Sequence, residues 1–351
     1  MPPYRIAVIG GDGIGPEVIE SAIGVIDAAI QADRATIEWN RLPWNCDYFK
    51  KHGRIMPADG FDQLLTYDAI FLGALGSPDV PDTETVHGML LPLRRKFNQY
   101  VNLRPAYLFD GITSPLRGKE PGSIDMVFYR ENTEGEYAPV GGKVHAGFPH
   151  EIAIQSAVFT RYGCERIMRA AFAAARRRRN KVTSITKSNA LAHSMTLWDD
   201  VFADVAAEFP DVQSHALLVD AAAMDLVRKP ETFDVLVASN LFGDILTDIS
   251  AIVTGSLGLA ASGNINPEKK FPSLFEPVHG SAPDIAGQGI ANPMAAMLSA
   301  CLMLEHLELP RSAAKLKDAV AAVLKEGKTL TPDLGGKAKT SDVTKAVRAA
   351  L

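Results

Sequence analysis

Short apolar runs, many of them β-branched, alternate along this chain with longer stretches of helical periodicity. That alternation confines it to an α/β architecture. Strands are predicted at 5–9, 69–72, 125–129, 182–185, 216–219, 235–238 and 274–275, and helices at 16–30, 188–209, 241–253 and 293–307. Most of these strands run directly into a polar or glycine-rich cluster: Gly10-Gly11-Asp12-Gly13, Arg130-Glu131-Asn132, Lys187-Ser188-Asn189, Asp220 and Asn240. Open α/β sheets bind ligands beyond the carboxyl ends of their strands, so the pattern predicts one shared cleft built from strand ends.

A length of 351 residues fits one large domain or two of ordinary size. With 47% hydrophobic and 22% charged residues, the chain has enough apolar surface for a core and reads as soluble and globular. A net charge of −5 argues against a general nucleic-acid binder. The run Arg176-Arg177-Arg178-Arg179 follows an Ala-rich amphipathic stretch and is expected to be a solvated helix C-terminus. No apolar stretch approaches the roughly 18 residues of a membrane span. The apolar run 6–9 is too short for a signal-peptide core. Cys46, Cys164 and Cys301 form no metal or disulfide pattern, so buried free thiols in a reducing cytoplasm are expected.

Several segments can carry chemistry. The Gly11-Asp12-Gly13-Ile14-Gly15-Pro16 turn departs from a clean GxGxxG, and a structural turn explains it as well as a ligand contact does. Arg94, Arg104 and Arg130 carry planar guanidinium forks that match carboxylates, which suits a dianionic substrate if they converge. Asp244 and Asp248, at i and i+4 after an apolar strand, share a helix face on which a hard divalent cation would relieve their repulsion. Spacing alone favours a solvated face. Asp220, after its own strand, is a third candidate ligand. Lys187 can accept a proton and Tyr137 can donate one. In the late loop Glu276-Pro277-Val278-His279-Gly280-Ser281-Ala282-Pro283-Asp284, Asp284 can accept from a ribose 2′-hydroxyl and would repel a 2′-phosphate, which favours NAD over NADP.

Together these segments resemble the β-decarboxylating dehydrogenase family of isocitrate and isopropylmalate dehydrogenases. The resemblance rests on Gly11 to Glu17, Asn102-Leu103-Arg104-Pro105, Arg130-Glu131-Asn132-Thr133-Glu134-Gly135-Glu136-Tyr137, Asn240-Leu241-Phe242-Gly243-Asp244-Ile245-Leu246 and the His279 loop. It implies an α/β fold of two domains with mixed sheets flanked by helices, not a Rossmann fold. The larger domain would comprise 1–102 and 250–351 with the NAD loops, and the smaller 103–249 with the dimer interface and the substrate and metal residues. It further implies that Arg94, Arg104 and Arg130 bind the malate-type carboxylates, and that Asp244 and Asp248 hold Mg2+ or Mn2+ with Asp220 of a partner subunit, K+ being a further candidate ion. Lys187, also supplied in trans, would take the 2-hydroxyl proton, and Tyr137 would protonate the enolate. His279, Gly280, Ser281, Ala282, Asp284 and Asn292 would cradle NAD, and the active unit would be a homodimer.

Within that family, the Arg130–Tyr137 segment departs from the isopropylmalate enzymes and resembles tartrate and D-malate dehydrogenases and also homoisocitrate dehydrogenases. Cys46-Asp47-Tyr48, Gln99-Tyr100 and Asn264-Ile265-Asn266-Pro267-Glu268 tip the balance to the first. One departure falls in the specificity segment, where His87 stands at a position that looks like Trp in the tartrate enzymes and Pro92-Leu93 replaces a Lys-Phe pair. His87 and Leu90 are expected to face the group on the third carbon of the substrate. The segment brings no new cation before Arg94, which favours a small or hydroxyl-bearing group, while Leu90 and Leu91 leave room for an alkyl one. A non-catalytic regulatory subunit of the same family would lack a metal aspartate, Lys187 or Tyr137, and all are present.

Overall fold

The computed structural model describes residues 2–351. Their internal contacts divide them into two compact units. One comprises the residues up to Gln99 with Arg104–Ile124 and Ala251–Leu351, and the other Tyr100–Leu103 with Asp125–Ser250. The strands are β1 (Tyr4–Ile9), β2 (Ile37–Arg41), β3 (Ala69–Leu72), β4 (Val101–Tyr107), β5 (Asp125–Glu131), β6 (Gly141–Val144), β7 (Ile152–Gln155), β8 (Lys181–Thr186), β9 (Gln213–Leu218), β10 (Val235–Ala238), β11 (Ala261–Ile265) and β12 (Ser273–Pro277). The longer helices are α1 (Gly15–Ala29), α2 (Arg161–Ala175), α3 (Ser194–Ala207), α4 (Val219–Arg228), α5 (Asn240–Val253), α6 (Met294–His306), α7 (Pro310–Glu326) and α8 (Thr340–Ala349).

In the first unit the strand order is β2-β1-β3-β12-β11. All neighbours are parallel except β11, which runs antiparallel to β12 and makes the sheet mixed. Ile6 to Ile9 and Ala69 to Leu72 are buried on both faces, as expected of parallel strands covered by helices on either side. Helix α6, small and apolar nearly all round, packs on β11 and β12. Its buried Ser299 hydroxyl donates to carbonyls of Ala295 and Glu276, so the polar atom costs little inside.

In the second unit β5, β10, β8 and β9 are parallel neighbours, with α2 packed on β5, β8 and β10. Val127, Val235 and Val182 sit abreast across the three buried strands. Register decides which side chains meet at their carboxyl ends. Ala238 lies beside Arg130, so the next residues of the β10 exit lie close to the β5 exit. Thr186 lies beside Leu218, so Lys187 and Asp220 emerge as neighbours. The hairpin β6–β7 stands apart, with every residue exposed.

The mixed α/β architecture expected from the sequence is the one present. One local expectation needs correction. The helix predicted to begin at Ser188 begins at Ser194, because the Ala190 and Leu191 N–H groups both bond to the Lys187 carbonyl and close a turn there. The arginine run does sit at a helix end, with Arg176, Arg177 and Arg179 exposed, and it is also paired. Helix α2 stops at Ala175, and Arg176 pairs bidentately with Asp211 while Arg178 reaches Asp125 and the fully buried Asp234. Arg179 also bonds to the Asp125 and Phe233 carbonyls. Removing Asp234 from water demands that its charge be paired, and the run supplies the pairing. The three cysteines are buried free thiols; burial pushes Cys46 and Cys164 up to about 12, out of the reactive range. No helix among the described residues is long and apolar enough to cross a membrane.

Candidate active site

The second unit gathers chemistry at the ends of β5 and β10. Arg130 is 1% exposed, so its cation must be fully paired. Its Nε and Nη2 donate to the Asn240 amide oxygen at 3.0 and 2.7 Å, and its Nη1 donates to Asp244 Oδ1 at 2.5 Å. The Tyr137 hydroxyl donates to the other oxygen of Asp244 at 2.9 Å, and the Arg130 guanidinium lies over the Tyr137 ring. Asp244 is thus held by a cation and a phenol on a helix whose next turn carries the exposed Asp248. Both carboxylates belong to one helix face, and Asp244 keeps about a third of its side-chain surface open (36%). Hard oxygen donors with accessible surface fit a divalent cation that retains water ligands.

The rest of the Arg130–Tyr137 segment holds this arrangement in place. Glu131 is buried and accepts from the Thr133 N–H and hydroxyl and from the Glu134 N–H, closing the turn; burial raises its pKa against those hydrogen bonds. Glu136 is a positioning residue whose part its sequence context does not reveal. Its two oxygens accept from the Ser239 hydroxyl at 2.7 Å and the Leu241 N–H at 3.1 Å, which caps the start of α5 with a negative charge. Gly243 is a second such residue. A Cβ there would lie 2.6 Å from Arg130 Cγ, so only glycine lets α5 approach the arginine this closely.

Lys187 and Asp220 meet at the ends of β8 and β9. Lys187 Nζ donates to Asp220 Oδ1 at 2.7 Å, and this bond lowers the Asp220 pKa. Asp220 is the acidic residue of the first turn of α4, where the helix dipole also favours its charge. Among the described residues no group of three metal-type ligands assembles, so Asp220 does not join Asp244 and Asp248 within one chain.

In the first unit, Arg94 lies in the short helix Leu91–Lys96, 8% exposed. Its Nη2 is 3.6 Å from Glu276, and its buried Nε has no protein partner. Arg104 lies buried in β4. His87 is exposed in the π-helical turn Val86–Leu90, and Leu90 packs partly against the core below. A π turn widens the helix by one residue and re-aims the side chains C-terminal to it.

The first unit also carries a half-open cavity of about 420 Å3 lined in part by Ile14, His279, Ile285, Asn292 and Asp333. The Gly11–Gly15 turn builds one wall. Asp12 accepts from the Cys46 and Gly76 N–H groups, and the Ile14 N–H donates to the Ser281 carbonyl. Gly13, at φ +56°, faces that same carbonyl with no room for a Cβ. His279 is mostly buried, and burial lowers its pKa. Its Nδ1 bonds to the Gly280 carbonyl, which makes Nδ1 the protonated nitrogen and leaves Nε2 a bare acceptor with no protein partner. Ala282 takes φ +41°, and Asp284 is exposed, its carbonyl held by the Gln288 amide. Asn292 accepts from the Met294 N–H at the start of α6 and donates to Asp333.

The second unit thus carries an Arg-Tyr-Asp cluster at its strand ends and the first a loop-walled cavity, within the mixed α/β scaffold of a class of dehydrogenases. The isocitrate/isopropylmalate dehydrogenase family matches residues 5–347, and the chain belongs to that family. A probable tartrate dehydrogenase/decarboxylase of Agrobacterium vitis is 51% identical over 99% of this chain and 97% of its own length. The decarboxylating D-malate dehydrogenase of Escherichia coli is 47% identical, over 99% and 98%. A 3-isopropylmalate dehydrogenase of Thermobifida fusca is 50% identical over 92% and 91%. Among solved structures, isocitrate dehydrogenase from Methylococcus capsulatus superposes with a TM-score of 0.89 at 36% identity, covering 99% of both chains.

Proposed function

We propose that this protein oxidises and decarboxylates a malate-type 2-hydroxy diacid, D-malate or tartrate, using NAD and Mg2+ or Mn2+. The observation that carries the reading is the convergence of Arg130 and Tyr137 on Asp244, one helical turn from Asp248. That cluster joins a buried cation, a proton donor and two hard ligands in one place. The names of the A. vitis and E. coli relatives support a decarboxylating hydroxy-acid dehydrogenase. The absence of any arginine or lysine from Val86–Leu90 supports a small or hydroxyl-bearing third group over a third carboxylate.

The chain's residues divide the work. Arg94, Arg104 and Arg130 bind and orient the two carboxylates. Lys187 Nζ takes the proton of the 2-hydroxyl, and Tyr137 Oη returns one to the carbon that loses CO2. Asp244 and Asp248, with Asp220 of a partner subunit, would hold the metal, which when bound acidifies the hydroxyl and stabilises developing negative charge. NAD, the hydride acceptor, would lie in the His279–Asn292 loop, with the bare Nε2 of His279 complementing an exocyclic amine and Asp284 accepting from a ribose hydroxyl. A homodimer fits two facts. Lys187 and Asp220 are paired with each other, and among the described residues Asp220 forms no three-ligand group with Asp244 and Asp248. In addition, Met224 and Val227 of α4 and Ile245 of α5 are exposed apolar side chains on the very helices that bear those aspartates.

The test is a steady-state comparison of kcat/KM, with Mn2+ and NAD+, across D-malate, tartrate, isocitrate and 3-isopropylmalate. D-malate or tartrate is expected to lead by at least tenfold. No NAD+ reduction on any of the four refutes the enzyme reading, and 3-isopropylmalate leading refutes the substrate.

A further inference from the structure

We propose that Asp333 is a positioning residue of the cofactor pocket, acting through Asn292 and Ser256; the proposal rests on the NAD reading. The 420 Å3 cavity is walled by segments far apart in sequence: the turn at Ile14, the short helical turn after Ser256, the His279–Asn292 loop and the turn at Pro332. Main-chain bonds join Ile14 to Ser281 and Val278 to Ala260, while the turn at Pro332 reaches the other walls through the side chain of Asp333. Asp333 does so from one carboxylate. Its Oδ2 accepts from the Ser256 hydroxyl at 2.7 Å and the Asn292 amide at 3.0 Å, while its Oδ1 accepts from the Thr331 hydroxyl at 2.5 Å.

Each donor passes the constraint on. Asn292 uses its oxygen to receive the Met294 N–H, so its amide is fixed at both ends and joined to α6. The Ser256 hydroxyl oxygen receives the Gly258 N–H at 2.9 Å and so shapes the adjoining wall. A Cβ on Gly258 would overlap Asp333 Oδ2 and lie 2.8 Å from the Asn292 amide nitrogen, so glycine there is what lets the carboxylate in. None of the three donors is cationic; charge-assisted hydrogen bonds, not an ion pair, hold the carboxylate. Asp333 also faces the cavity and its charge acts on His279, whose Nδ1–H tautomer the cofactor reading uses. A general staple would serve any fold, whereas these bonds converge on walls of one pocket.

The experiment measures NAD+ affinity by calorimetry and full kinetics on the intact dehydrogenase for wild type, Asp333→Ala, Asp333→Asn and Ser256→Ala, with thermal melting to certify folding. Asp333→Ala should weaken NAD+ binding about tenfold or more, with kcat at saturating NAD+ and the hydroxy-acid KM within about twofold of wild type. Asp333→Asn, which keeps one acceptor, should recover part of the loss, and Ser256→Ala should lose less than Asp333→Ala. If wild type binds NAD+ and Asp333→Ala binds it equally well, the assignment is overturned. It is also overturned if kcat and melting temperature fall and the hydroxy-acid KM rises in parallel with the loss of NAD+ affinity, since that marks a general structural role. If wild type binds no NAD+ at all, the cofactor reading itself fails and takes this one with it.

Discussion

Gly243 sets how closely α5 can approach Arg130. A methyl group added there would lie 2.6 Å from Arg130 Cγ and 2.8 Å from its Cβ, at the root of the side chain rather than its mobile tip. Strand and helix would have to separate, at about 1–3 kcal/mol, more than the roughly 1 kcal/mol that alanine gains over glycine in a helix. Gly243→Ala should therefore lower the urea midpoint and cut kcat/KM at least tenfold, because Arg130 loses its reach to Asn240 and Asp244. Gly24, inside α1 with open space at its Cβ position, is the control; Gly24→Ala should stabilise slightly. A Gly243→Ala protein as stable and active as wild type would sink the argument. Arg130, Tyr137 and Asp244 can be singled out from chemistry and motif, but the space behind Gly243 cannot. Its neighbour lies 113 residues away in sequence (243 − 130), and no periodicity encodes that distance.

At the scale of elements, α5 begins where it does because another segment caps it. Glu136 receives the Leu241 N–H and the Ser239 hydroxyl, placing a charge at the positive end of the helix that presents Asp244 and Asp248. Glu136→Ala should cost about 1 kcal/mol in urea unfolding and weaken Mn2+ binding several-fold by titration calorimetry. Glu136→Gln should fall between the two. An unchanged unfolding midpoint together with unchanged Mn2+ affinity would show that the cap positions nothing. Elements are legible in sequence where burial writes a pattern: β3 and β10 are continuous apolar runs because both faces are covered. The hairpin β6–β7 carries no such pattern, since all its residues are exposed, and nothing in its sequence marks it as a pair of strands. The arginine run is legible as an exposed helix end, but its pairing is not, because Asp125, Asp211 and Asp234 arrive from elsewhere in the chain.

For the whole molecule, the deciding question is where Asp220 and Lys187 work. Their side chains pair with each other across adjacent strand ends, and within one chain they do not complete a three-ligand site with Asp244 and Asp248. Under the proposed homodimer they serve the partner's site, and this can be tested by mixing two dead variants. Lys187→Met damages what a chain lends, and Asp244→Asn damages what it keeps. In a mixed dimer one site then receives Lys187 from the Asp244→Asn chain and keeps Asp244 of the Lys187→Met chain, so it is intact, while the other site carries both lesions. Random pairing makes half the dimers mixed, with one good site in two, so about a quarter of wild-type activity should return. Each variant alone should stay inactive while sedimenting as a folded dimer. If co-expressed or co-refolded mixtures recover nothing, although tagged pull-down shows that mixed dimers form, then Lys187 and Asp244 act from the same chain. The exposed Met224, Val227 and Ile245 would then need another explanation.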